Sequence, residues 1–232
     1  MSIHELPRQN PETASRRSWG LGRALSIVAV LVIVPLGVWV AGGLVTNDET
    51  LAKTLTGFWL ALSGAVVLWA AWRWRPIAAF VVPVFIVVAA TLGGYLFFTS
   101  TVDKVVDEQV VAVDPPERDG DSAEPSPVNM QVARGQFESG AHPTSGVATV
   151  IDTASGHRVL TLTNFATDPG PDLRVYVVAA GSEGVDGAVD LGALKGNQGD
   201  QQYAVPESAD LGRVVIWCRA FSVNFGQAAL RA

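Results

Sequence analysis

The chain has 232 residues, room for a membrane region and one domain of ordinary size. Its hydrophobic fraction is 49% and its mean hydropathy +0.30, an excess carried almost wholly before residue 100. A formal net charge of −6 and a pI near 5.0 argue against a nucleic-acid partner, because neutralising phosphates takes a basic face.

The basic residues gather first. Arg8, Arg16, Arg17 and Arg23 fill the tail 1–23, ahead of an apolar run at 24–46. That run is roughly 23 residues without a formal charge, enough to cross a hydrocarbon core of about 30 Å as a helix. Two more follow, at 55–72 and 77–100, so 24–100 reads as a three-helix membrane anchor. The loop between the first two runs carries Lys53 against Asp48 and Glu49, whereas Arg73-Trp74-Arg75-Pro76 joins the second to the third. Lys and Arg stay on the cytoplasmic side. The tail and the Arg73–Arg75 turn are therefore expected inside, and everything after Ser100 outside a plasma membrane. Trp69, Trp72, Trp74 and Tyr95 suit an interfacial aromatic belt. No Asp, Glu, Lys, Arg or His lies within the runs, so no proton relay or bis-histidine haem is expected there. Pro35 and Pro83 predict kinks. Gly57, Ala61 and Ala65, spaced by four, predict close helix packing.

From 101 to 130 the composition turns acidic and Pro-rich, with Pro115-Pro116, Pro125 and Pro127. It reads as an extended tether, with 105–113 open to continuing the third helix for a turn or two. The segment 131–232 then shows short β-rich runs at 147–151, 159–163, 173–178, 213–218 and 221–225, separated by Gly, Pro and Asn turns. Strands so spaced predict an all-β sandwich or barrel. In Asp168-Pro169-Gly170-Pro171-Asp172, Pro169 and Gly170 predict a type II turn with positive φ at Gly170. Asp172 either locks that turn or lines a site.

The single cysteine, Cys218, shares a strand face with Val214 and Ile216, while Val215, Trp217 and Arg219 take the other. A cysteine on an apolar face is most often core. On the oxidising side of a membrane a lone thiol is otherwise a redox group, a prosthetic-group ligand or half of an intermolecular disulfide. Arg219 would favour the thiolate if its side chain curled round. Met130, His142, His157 and Cys218 are a copper inventory on paper, but they are scattered rather than clustered after the cysteine, and copper is disfavoured. Both histidines flank glycine-containing turns and are expected to be solvated. Haem on Cys218 is left open, without a CxxCH attachment motif. No nucleophile elbow and no phosphate loop is present.

Five segments in order carry a resemblance: Gly135-Gln136-Phe137, Leu160-Thr161-Leu162-Thr163-Asn164-Phe165, Gly170-Pro171-Asp172-Leu173-Arg174-Val175-Tyr176, Leu194-Lys195-Gly196-Asn197-Gln198-Gly199-Asp200-Gln201-Gln202-Tyr203 and Trp217-Cys218-Arg219-Ala220-Phe221-Ser222-Val223-Asn224-Phe225-Gly226. Together they resemble the DM13 domain over about residues 131 to 230. The resemblance implies a β-sandwich module of cell-surface proteins with an electron-transfer or redox role centred on Cys218. Trp217, Phe221 and Asp172 are the neighbours expected to shape its surroundings. Related modules accompany DOMON and cytochrome partners, neither of which lies in this chain, so the resemblance implies a separate redox protein as electron partner. The other function class is a non-catalytic binding module that engages a cell-surface protein, with Cys218 as core. A stand-alone enzyme is the less favoured reading.

Overall fold

The computed structural model describes residues 11–43, 49–114 and 128–232. Arg8, Asp48 and the Pro-rich stretch of the acidic linker at 115–127 lie outside them. The described chain divides into two compact units, one built from Met1–Ala41 and Lys53–Gly94, the other from Gly42–Ala52 and Tyr95–Ala232.

Three helices, α1 (Pro11–Gly43), α2 (Glu49–Arg73) and α3 (Arg75–Thr101), correspond to the three apolar runs. Each is long and apolar enough to cross a membrane. They outrun the expected spans, α1 by 13 residues at its start (24 − 11), because a helix satisfies its own backbone in lipid and water alike. In the first unit Val30, Val34, Val67 and Val81 form the buried seam. Leu31, Ile33, Trp39, Leu68, Ile86 and Val87 stay exposed, an apolar outer surface of the kind lipid covers. The expected Gly57–Ala61–Ala65 stripe is not where helices meet: all three are exposed, and nothing lies within 4 Å of a Cβ placed on Gly57. The close approach is elsewhere. A Cβ on Gly37 would sit 2.0 Å from the Trp59 ring, whose Nε1 donates to Val34 O at 3.2 Å. The larger side chain opposite a glycine decided the packing, and sequence spacing did not reveal it.

The second unit contains eight strands, β1 (Met130–Ser139), β2 (Thr144–Asp152), β3 (Arg158–Thr167), β4 (Leu173–Val178), β5 (Val189–Ala193), β6 (Gln201–Val205), β7 (Arg213–Cys218) and β8 (Val223–Ala229). All strand pairs are antiparallel, in the order β5-β4-β7-β8-β1-β2-β3-β6. The all-β expectation is met. Two separate sandwich sheets are not seen, because β1 belongs to both ladders. Met130–Gln136 pair with β2, and Phe137–Ser139 pair with β8. One continuous sheet therefore curls nearly into a barrel, with β5 and β6 as its ends. Its inner face is a single core that includes Val150, Leu160, Leu162, Phe165, Val175, Val214, Ile216 and Phe225. The face shared by Leu160 and Leu162, and that shared by Val214, Ile216 and Cys218, point inward as alternation predicts.

The acidic segment does not begin as a free tether. The helix ends at Thr101, and the chain then runs along the domain as an extended strap. Val105 bridges Gln198 in parallel. Val106 N–H donates to Gln198 O at 2.9 Å and Glu108 N–H to Asp200 O at 2.9 Å. The Glu108 carboxylate accepts from Lys195 Nζ at 2.8 Å and from Gln202 N–H at 3.0 Å. Gly199, at φ +98°, lets the strap pass: a Cβ there would lie 1.8 Å from Val106 O.

Two outcomes follow for the strap. Gly199→Ala combines a left-handed backbone with a clash, so a loss of about 1–3 kcal/mol from strain alone is expected in denaturant unfolding of the full chain, with faster proteolysis at 104–111. The Lys195 ammonium, against a smaller opposing effect of burial, holds the Glu108 carboxyl below its ordinary value of 4.5. A depressed carboxylate stabilises the fold above its unfolded pKa, and that contribution disappears as pH falls through the folded value. Strap protection against protease should therefore weaken as pH drops below about 4.5 in the wild type, and Glu108→Gln should flatten that dependence.

Candidate functional site

Cys218 is the last residue of β7, directly opposite Leu173 of β4 and Val223 of β8. Its side chain is fully buried. The tight β7–β8 turn, with Ser222 at φ +52°, folds the chain back beside the sulfur, where the backbone amides of Phe221, Asp172 and Ala220 act on it. These three N–H groups favour a thiolate. Burial opposes them and wins, and the Asp172 carboxylate adds to it, so the thiol is pushed above its ordinary value of 9.0.

The expected help from Arg219 is absent, because its guanidinium is engaged elsewhere. Arg219 Nε donates to Asp172 Oδ2 at 2.8 Å, and Arg219 N–H donates to Asp172 O at 2.9 Å. Asp172 thus ties the end of its turn to Arg219, the residue after β7, and it lines a cleft described below. Gly170 does not take the expected positive φ. Glycine is required there for space, since a Cβ would meet Leu173 Cδ2 at 2.8 Å and Phe225 Cζ at 3.0 Å.

Phe221 is buried and shares the core with Cys218. Trp217 does not shape the sulfur's surroundings. It lies on the opposite face, half-buried against Tyr176, Val178 and Val215 beneath Val185 and Ala188. That second small core on the outside of the sheet explains why Val215 is buried on a face that alternation alone assigns to solvent.

His142 is also not simply solvated. It stacks on Phe225 with ring centroids 3.8 Å apart, and its Nδ1 lies 2.8 Å from Asp168 Oδ2. His157 stands exposed in the β2–β3 turn and Met130 is exposed at the start of β1, so the paper copper inventory is not assembled. Among the described residues no group of three His, Cys, Asp or Glu side chains converges as a metal site requires. A haem ligated by Cys218 does not fit this arrangement either, because the side chain has no exposed surface and is packed within the inner core.

Sequence reasoning missed the work done by the segment 194–203. Gln201, fully buried, accepts from Lys195 N–H at 3.1 Å and from Tyr203 Oη at 2.7 Å, and donates to Gly196 O at 2.9 Å. Asn197 accepts from Lys104 N–H at 2.6 Å and donates to Thr167 O at 2.9 Å. The Tyr203 hydroxyl is buried, and its pKa is raised by that burial. This polar knot turns the chain from β5 into β6 and receives the strap. A buried glutamine needs all its partners, and a run with two glutamines before a tyrosine at a strand start was the available signal.

Residues 136–230 match the family model described as Electron transfer DM13. No curated protein and no solved structure matches the chain.

The burial of the sulfur gives a direct check. Thiol titration of the folded full chain in detergent should read near zero at pH 8 and rise to the single cysteine on unfolding. A raised thiol pKa favours the neutral form in the fold. Its contribution to stability is therefore complete below the unfolded value and is lost as pH rises through the higher folded one. The denaturation midpoint of the wild type should accordingly fall more steeply above about pH 9 than that of Cys218→Ala.

Proposed function

We propose that this chain is a membrane-anchored, extracytoplasmic electron-transfer module of the DM13 kind, whose redox chemistry is centred on Cys218. What supports the reading is the match of residues 136–230 to that family together with the place of the domain's one cysteine, buried opposite Leu173, where the backbone amides of Phe221, Asp172 and Ala220 act in favour of its thiolate. Amide donors around a sulfur are a common device by which proteins tune an electron-rich centre. The anchor is the three apolar helices in a plasma membrane. The proposed orientation, with the N-terminus cytoplasmic and the β domain outside, is supported by Arg8, Arg16, Arg17, Arg23, Arg73 and Arg75, since basic residues stay on the cytoplasmic side. The chain's own helices carry no haem-ligand histidine, so the electron partner is a separate redox protein or a membrane carrier.

A second reading has its own support. Full burial of Cys218 and its raised pKa suit a core residue of a non-catalytic module that binds a cell-surface protein. One experiment separates the two. Voltammetry of the full chain in detergent is expected to give a redox wave that Cys218→Ser abolishes or moves by tens of millivolts while circular dichroism stays unchanged. No wave in either protein overturns the redox reading and leaves the binding module, in which Cys218→Ala costs about 1 kcal/mol of packing and nothing else. Protease shaving of intact cells should remove the β domain; protection from external protease would overturn the orientation.

A further inference from the structure

The second unit contains a cleft of about 700 Å³, within the usual range for small-molecule sites. One wall is the last turn of α3 and the residues after it: Tyr95, Phe98 and Val102. Those three are 55%, 64% and 56% exposed, a stripe of large apolar groups at helical spacing left largely uncovered. The other wall is the 169–173 turn and the end of β5, where Pro171 and Leu194 stand. Tyr95 Oη donates to Pro171 O at 2.9 Å and ties the walls together.

The level of the cleft is set by helix length. From Arg75, 27 residues of helix measure about 40 Å, more than a hydrocarbon core of about 30 Å. A spanning α3 therefore brings Tyr95 and Phe98 to the headgroup level, and the cleft opens where membrane-dissolved amphiphiles present their polar ends. The charge of the lining selects among them. Among the described residues it carries Lys104 against Asp103 and Asp172, and Asp172 is already paired with Arg219, so the lining is close to neutral. Such a lining gives an anionic phospholipid head no net attraction and suits a neutral, flat head with carbonyl oxygens, to which Tyr95 and Phe98 offer aromatic faces and Lys104 an ammonium donor.

The cleft is also next to the sulfur. Leu173 lines it and is the cross-strand partner of Cys218, and Asp172 lines it while directing its amide at Cys218. We infer that this cleft binds the head of a membrane-soluble quinone, the small-molecule carrier for the electron-transfer reading on which the inference rests.

The test measures retention of decylubiquinone by the purified full-length chain in detergent, with phosphatidylglycerol titrated in a parallel arm. Saturable retention is expected, with affinity roughly tenfold or more weaker in the Phe98→Ala/Val102→Ala double variant, which alters only exposed positions. Val87→Ala, equally exposed and outside the cleft, should bind as the wild type does. Phosphatidylglycerol binding that the double variant weakens and decylubiquinone does not displace overturns the inference, as does retention indifferent to the double variant or absent altogether. The Cys218→Ser chain keeps the two readings apart. Quinone retained by that variant, with no redox wave in either protein, sinks electron transfer and spares the site; a Cys218-dependent wave without quinone binding does the reverse.

Discussion

Burial of the inner face of one curled sheet is the constraint on which the β domain rests. An eight-stranded antiparallel sheet has one apolar face and must hide it. Here it does so chiefly by curling on itself, with Ala52 of α2 and Leu96 of α3 packed against the same core. The hinge of that solution is β1, whose first part completes one ladder and whose last three paired residues start the other. Gly135 and Gly140 lie in and just after this strand, and a Cβ on either would press into the β8 segment, 2.3 Å from Ala229 O and 2.4 Å from Asn224 O respectively. Bulges at Gln131/Ala133, Ser145/Val147 and Ile216/Trp217 supply local bend, as sheets that close commonly require. Once the sheet has curled, Cys218 has no route to solvent, and the amides of the adjoining turns become its polar neighbours.

What the sequence discloses follows from which of these constraints is local. The three helices are legible because an apolar run longer than a bilayer core needs no partner to declare itself. β4 and β7 are legible end to end, Leu173–Val178 and Arg213–Cys218, because β-branched residues dominate them. β1, β5 and β6 are not. β1 alternates Arg134, Gln136 and Glu138 with Ala133, Gly135 and Phe137 inward, a face with a single large apolar residue. β5 is five residues with a glycine in the left-handed region, and β6 opens on two glutamines. Their strand identity comes from partners far away in the chain. The strap is the plainest case. Its acidic composition reads as unable to order itself, yet its order comes from backbone bonds to 198–200 and one ion pair, neither visible as a hydrophobic pattern.

The candidate site shows the same division. The face occupied by Cys218 is readable from alternation. The partner of Arg219 was not, because Asp172 lies 47 positions away. Nor was the place of Trp217, since a loop between β4 and β5 covers part of the outer face and turns an expected solvent position into a minor core. Gly170 was read for its torsional freedom and is needed for its lack of a side chain. In each case the missing information is a tertiary neighbour, the part of the environment that propensity does not encode.

The seal around the sulfur also limits what chemistry the folded domain supports. A disulfide needs a second sulfur about 2.05 Å away and the two Cβ atoms about 3.8 Å apart. A side chain with no exposed surface meets no such partner from another molecule, so an intermolecular Cys218 disulfide requires the β7–β8 turn to open. Thiol–disulfide exchange requires the thiolate as well, and burial works against that form here. Exchange chemistry is thus blocked twice, by access and by ionisation. Electron transfer escapes the first requirement but not the second, since a thiol that gives up an electron gives up its proton too. The seal that makes Cys218 inert to exchange thus makes its one-electron oxidation depend on a route for the proton.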